Sequence, residues 1–108
     1  VEKVLTLTIK GNWYDKIASG EKKEEYREIK PYYDSRLLKL FETTRENLKL
    51  PFPEPDNIRQ IVFKNGYSAD SRKFVADCKL SIGTGREEWG ADPDTEYYIL
   101  HIINVEEL

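Results

Sequence analysis

The sequence predicts an α+β fold: a small β-barrel of about five strands, mostly antiparallel, with two helices at the barrel ends. Three observations predict it. Short segments in which apolar residues alternate with polar ones recur along the chain, bounded by Gly, Pro or Asn. Two stretches of helical spacing fall in the first half only, so the order is strand, helix, strand, helix, then three strands. The 108 residues are enough for one domain with one modest core, spanning 1–108.

Residues 3–9 set Leu5, Leu7 and Ile9 against Val4, Thr6 and Thr8, a strand that Gly11 breaks. Asn12 then has the short polar side chain of a helix N-cap, and Asp15 follows where a carboxylate suits the helix's positive end. Trp13 and Ile17 lie four apart, as do Tyr14 and Ala18, which gives this two-turn helix an apolar side. Gly20 suits its left-handed stop, where the chain must turn sharply into the next strand. That strand, from about Glu24 to Ile29, carries charge on both faces. Pro31 then suits the first position of a second helix, with Tyr33, Leu37, Leu40 and Phe41 inside and Lys39, Glu42 and Arg45 outside. The segment Leu50-Pro51-Phe52-Pro53-Glu54-Pro55 reads as an extended connector, because its prolines lack donors and fix the backbone. It leads into a strand over 58–64. Asn65-Gly66 marks a turn. Residues 73–82 give the cleanest alternation, with Phe74, Ala76, Cys78, Leu80 and Ile82 on one face. Gly83-Thr84-Gly85 loosens the chain into a loop carrying Arg86, Trp89 and Gly90. A last strand over 96–105 is apolar on both faces and belongs at the centre of the barrel.

Composition narrows the chemistry. A 39 % hydrophobic and 34 % charged chain is polar for a globular domain, yet its apolar periodicity argues against disorder. One cysteine, Cys78, excludes an internal disulfide, and with His101 as the one other soft ligand no metal site is expected. A net charge of −3 weighs against coating long nucleic acids through counterion release, but not against a local basic cleft. No run approaches a membrane span and no signal-like segment opens the chain, so a cytoplasmic protein without a membrane partner is the expectation.

The octapeptide Gly20-Glu21-Lys22-Lys23-Glu24-Glu25-Tyr26-Arg27 is the most informative stretch. Glu24, Tyr26 and Glu28 share one strand face, and Glu25, Arg27 and Ile29 the other. Charge on a barrel's inner face is costly unless it is paired or lines a wet cleft. The plain reading is an edge strand blunted by charge, with a Glu25–Arg27 surface pair worth about 0–1 kcal/mol. The spacing G-x-K-x-x-E-x-R, held by Gly20, Lys22, Glu25 and Arg27, resembles the signature of the ASCH domain (activating-signal-cointegrator homology). This is a small β-barrel family related to the PUA domains of RNA-modifying proteins. The opening strand and helix, a middle strand near Phe63-Lys64 and two long closing strands are similar to ASCH organisation as well. The resemblance implies a PUA-like barrel and an RNA- or nucleotide-binding cleft that needs no metal or organic cofactor.

In that cleft Arg27 offers a planar fork for phosphate, Lys22 a second cation, and Glu25 either orients them or reads a base. The opposite wall is expected from two turns. One holds Lys64, Asn65 and Tyr67, where basic residues interleave with an aromatic; the other holds Arg86 and Trp89. Each has a plain alternative, an ordinary solvated turn and a core-capping tryptophan. His101 reads as a core or rim histidine and Cys78 as a small core residue.

Two further functions stay open. Some ASCH-like proteins hydrolyse the acyl amide of an N-acylated cytidine, an activity associated with the motif's lysine, a threonine three residues on and a distant glutamate. Here the lysine is Lys22, but Glu25 stands in the threonine's place and the sequence assigns no residue to the distant glutamate's. Others resemble ribonucleases, for which Tyr26, Tyr32 and Tyr67 are available. A metal-independent hydrolase would then use Lys22 and Glu25 as catalytic residues. A protein-interaction barrel, presenting Tyr26, Tyr32 and Tyr33, is the third reading.

Overall fold

The computed structural model describes residues 4–54 and 56–108. Lys3, at the expected start of the first strand, and Pro55 of the connector lie outside the described residues. Five strands form one curled sheet: β1 (Leu5–Ile9), β2 (Glu24–Glu28), β3 (Arg59–Asn65), β4 (Lys73–Thr84) and β5 (Glu96–Glu107). Their order is β1-β3-β4-β5-β2. Three of the four pairings are antiparallel, as expected; β1 runs parallel to β3. The expected closure into a barrel is corrected. β1 and β2 are the two edges of the sheet and exchange no ladder of backbone bonds, so the barrel stays open along a seam between them.

Helix α1 (Gly11–Ala18) follows β1. Its cap is Lys10 rather than Asn12, and no side chain caps it, because the helix starts one residue after Lys10 leaves the strand. Gly20 takes the left-handed conformation expected of it, with φ +85. Helix α2 begins at Pro31 as Pro31–Tyr33, widens into a π-helical turn at Asp34–Leu38 and ends as Lys39–Phe41. Glu42 stops it at φ 54, so Arg45 is not on its outer face. Arg45 instead opens a third helix, α3 (Arg45–Leu48), for which the Thr44 hydroxyl accepts from the Asn47 N–H at 3.1 Å. The sequence reading missed this helix, being a single turn. Among the described residues no helix is long and apolar enough to cross a membrane.

The core lies inside the curl. Tyr14 and Ile17 of α1 and Leu37 of α2 are fully buried against Ile61, Phe63, Phe74, Tyr98 and Leu100. Cys78 is in the core as expected. The alternation of β5 does not run unbroken. Cys78 faces Ile102 while Asp77 faces Asn104, so Ile103 is a bulged residue and the strand's two faces exchange there. That exchange exposes Ile103 (52 %) and returns Val105 to the core side.

Candidate functional site

A cleft of about 340 Å³ occupies the seam. Its floor comes from the octapeptide, and the local chain path explains how. After Gly20 turns the backbone, the Lys22 N–H donates to the Lys16 carbonyl at 2.9 Å, which folds residue 22 back beneath α1. The Lys22 side chain is left 2 % exposed, its Nζ 2.7 Å from Glu25 Oε1 and 4.6 Å from the Trp13 ring centre. Glu25 Oε2 accepts from Arg27 Nη2 at 2.7 Å. One carboxylate therefore sits between two cations with both oxygens engaged.

Arg27 ties the seam. Its Nη2 also donates to the Thr8 carbonyl on β1 at 3.1 Å, and its Nη1 to the Tyr33 hydroxyl at 3.2 Å. Burial pulls its pKa down, but the Glu25 charge and the Tyr33 hydrogen bond outweigh that and hold it above the ordinary arginine value. Its Nε is buried without a protein partner among the described residues.

The loop after β4 roofs the cleft. The Tyr26 hydroxyl donates to Glu24 Oε1 at 2.7 Å and accepts from the Arg86 backbone N–H at 2.9 Å. Gly85 lies so close to the Tyr26 ring that a Cβ there would be 2.6 Å from Tyr26 Cε1. This contact places Trp89 and Gly90 on the cleft, with Gly90 (φ +97) against Trp13. Tyr97 stands beside Tyr26, ring centres 5.7 Å apart.

Lys22, Glu25, Arg27 and Trp89 are thus brought together. Lys64, Asn65 and Tyr67 do not line the cleft, which corrects the expected second wall. The β3–β4 turn lies beyond β1 from the seam, with Asn65 beside Gly11 and Tyr67 91 % exposed. Arg86 contributes its backbone N–H; its guanidinium is exposed, pairs with Glu88 and stacks over Trp89 at 4.8 Å. The sequence reading missed Lys10, Trp13, Lys30, Tyr33 and Tyr97 as cleft residues. Helical spacing puts Trp13 on the apolar side of the first helix and Tyr33 on the inner side of the second, but spacing marks a side of a helix, not what that side meets. The plain reading of Glu25–Arg27 as a solvated surface pair also fails, since Glu25 is 8 % exposed.

Burial pushes the Tyr26 phenol up to about 12, with the Arg86 N–H opposing and Glu24 assisting. Tyr98 is pushed to about 12 by burial and its bond to Asp34, and the Cys78 thiol to about 12 by burial and the Asp77 charge. These folded values lie above the ordinary ones of 10.0, 10.0 and 9.0, so folding holds the three groups neutral. Their contribution to stability is complete below pH 9 and is lost as pH rises through 12. The urea midpoint is expected to fall continuously across that window; a flat profile would contradict this account of the three groups.

Among the described residues no three His, Cys, Asp or Glu side chains converge as metal ligands. Comparisons with protein-family models, with curated proteins and with solved structures each find no match for this chain.

Proposed function

We propose that the seam cleft of a PUA-like, ASCH-type module binds a nucleotide, free or at an unpaired position of an RNA. The observation that carries this reading is a local reversal of charge. Lys10, Lys22, Arg27 and Lys30 face two carboxylates, Glu25 and Glu28, in the cleft of a chain whose net charge is −3. Trp13, Tyr26, Tyr33, Trp89 and Tyr97 supply the aromatic surface around those cations. Base–aromatic stacking contributes about 1–3 kcal/mol per base, and a basic groove holds the phosphate.

The hydrogen bonds support a division of roles within this reading. Arg27 Nη2 spends both its hydrogens on Glu25 and Thr8, so Arg27 positions the site rather than clamping a phosphate. Glu25 has both oxygens occupied and orients the cations rather than reading a base. Lys22 is left to meet a carbonyl or phosphate oxygen at the floor, with Lys10 and Lys30 at the mouth. In the hydrolase reading the Lys22 amine would attack or take a proton. Its nearest neighbours, a carboxylate at 2.7 Å and an indole face at 4.6 Å, both stabilise a cation and favour binding instead.

The chain's two tryptophans both line the cleft, so intrinsic fluorescence reports its occupancy directly. Titration with cytidine and uridine monophosphates, and with a short single-stranded RNA, is expected to give a saturable change. Lys22→Met, which keeps the volume, is expected to weaken it at least about tenfold, equivalent to roughly 1.4 kcal/mol, while the variant still melts cooperatively. No change with any of these probes, or an equal change in Lys22→Met, would refute the cleft as a nucleotide site. Release of acetate from N-acetylcytidine, lost in Lys22→Met, would replace binding with hydrolysis.

A further inference from the structure

On the outer face of the sheet, away from the ion triad, three strands bring a serine, a histidine and a glutamate into line. Glu24 of β2 lies directly opposite His101 of β5, and Lys79 of β4 lies opposite His101 on its other side. Ser81 is two residues along β4 from Lys79, hence on the same face. The Ser81 Oγ is 2.6 Å from His101 Nε2, and His101 Nδ1 is 3.5 Å from Glu24 Oε2. Glu24 is held in turn through its other oxygen by the Tyr26 hydroxyl at 2.7 Å.

We infer that Ser81, His101 and Glu24 form a second, independent centre for acyl transfer, with unhindered carboxylic esters as its substrate class. The argument is geometric, since such triads are recognised by their contacts and roles rather than by chain order. With the Glu24 carboxylate on the Nδ1 side of the ring, the tautomer that carries its proton there is the one that leaves Nε2 to accept from the serine hydroxyl. The imidazole is reachable, its side chain 41 % exposed, while the glutamate behind it is 23 % exposed. Lys79, on the same face, is the cation that the strand register sets opposite His101; it is tethered to Asp56 at 2.8 Å and is 39 % exposed. The bulged, exposed Ile103 lies two residues beyond His101 and offers an apolar rest for a short acyl group. An open strand face of this kind suits small esters.

The steps balance. As Ser81 Oγ bonds to the ester carbonyl carbon, its proton passes to His101 Nε2. The tetrahedral oxyanion collapses, the carbon–alkoxy bond breaks, and the leaving alkoxide takes that proton. Water, giving a proton to Nε2, then attacks the acyl carbon; the bond to Oγ breaks and Ser81 recovers its hydrogen. Ser81 and His101 are the catalytic residues, and Glu24 is a positioning residue.

The test uses an alkyl fluorophosphonate, which an activated serine attacks with loss of fluoride, followed by peptide mass mapping. Labelling is expected at Ser81 and not at Ser19, Ser35, Ser68 or Ser71. His101→Gln is expected to slow it about 10²-fold or more, the usual share of a general base, with the circular dichroism spectrum unchanged. Glu24→Ala should slow it as well and Glu24→Asp restore part of the rate. p-Nitrophenyl acetate hydrolysis should fall in parallel and vanish in Ser81→Ala. Labelling absent from Ser81, equal at the other serines, or unchanged in His101→Gln would overturn the inference. Lys22→Met leaves this centre intact, so its outcome and that of the nucleotide cleft are read separately.

Discussion

Replacing Glu25 with alanine is expected to lower the stability of the domain by about 3–5 kcal/mol, the range for removing one partner from a buried ion pair. Glu25 holds Lys22 at 2.7 Å and Arg27 at 2.7 Å from its two oxygens, and Lys22 is almost wholly buried. Without it two cations face each other in a poorly solvated site, which costs far more than the lost contacts. Each kcal/mol shifts the melting temperature of a domain this size by roughly 4–8 °C, so a fall of more than roughly 12 °C is expected by calorimetry. Glu25→Gln should recover little, because size is not the issue. A loss under about 1 kcal/mol would mean that the trio behaves as an exposed ion pair, and the cleft's electrostatic argument would go with it.

Gly85→Ala is expected to strike the cleft from its roof. The added methyl would lie 2.6 Å from Tyr26 Cε1 and 2.7 Å from the Ala91 Cβ, distances at which something must move. Neither neighbour is the free end of a flexible chain. Tyr26 is fixed at its hydroxyl by Glu24 and the Arg86 N–H, and Ala91 is buried. Overpacking of this kind costs about 1–3 kcal/mol. The loop is the part that yields, and it carries Trp89. Tryptophan emission should therefore shift to the red, and affinity for nucleoside monophosphates should drop about tenfold or more, or roughly 1.4 kcal/mol. Unchanged emission and binding would show that the roof is not built on this contact.

What was legible in the sequence was local. Gly20, Pro31 and the Asn65-Gly66 turn each act through the backbone of their own neighbourhood, and each does what its residue type dictates. Strands β1 and β4 were legible from alternation, and the Lys22–Glu25–Arg27 grouping from the spacing of the octapeptide rather than from its charge, which alone read as a blunted edge strand. Strand order was not legible, because nothing near Leu5 says that its partner is Ile61, more than fifty residues away. The open seam was not legible for the same reason. The bulge at Ile103 hid in a run apolar on both faces, where either register looks acceptable. The turn at Lys64 to Tyr67 had the composition of a binding loop, but a wall needs position as well, and β1 stands between it and the cleft.

Strand order also governs when the cleft comes into being. β2 has its ladder partner in β5, so Glu25 pairs with Leu100 across more than seventy residues, and β1 must wait for β3. Closing such long loops costs entropy before any contact offsets it, and folding rates fall accordingly. A chain emerging from the ribosome would carry the octapeptide without its ladder partner until β5 has been made, more than seventy residues later. The cleft is thus completed by the last of the five strands, and loss of β5 should remove it entirely while leaving the octapeptide untouched.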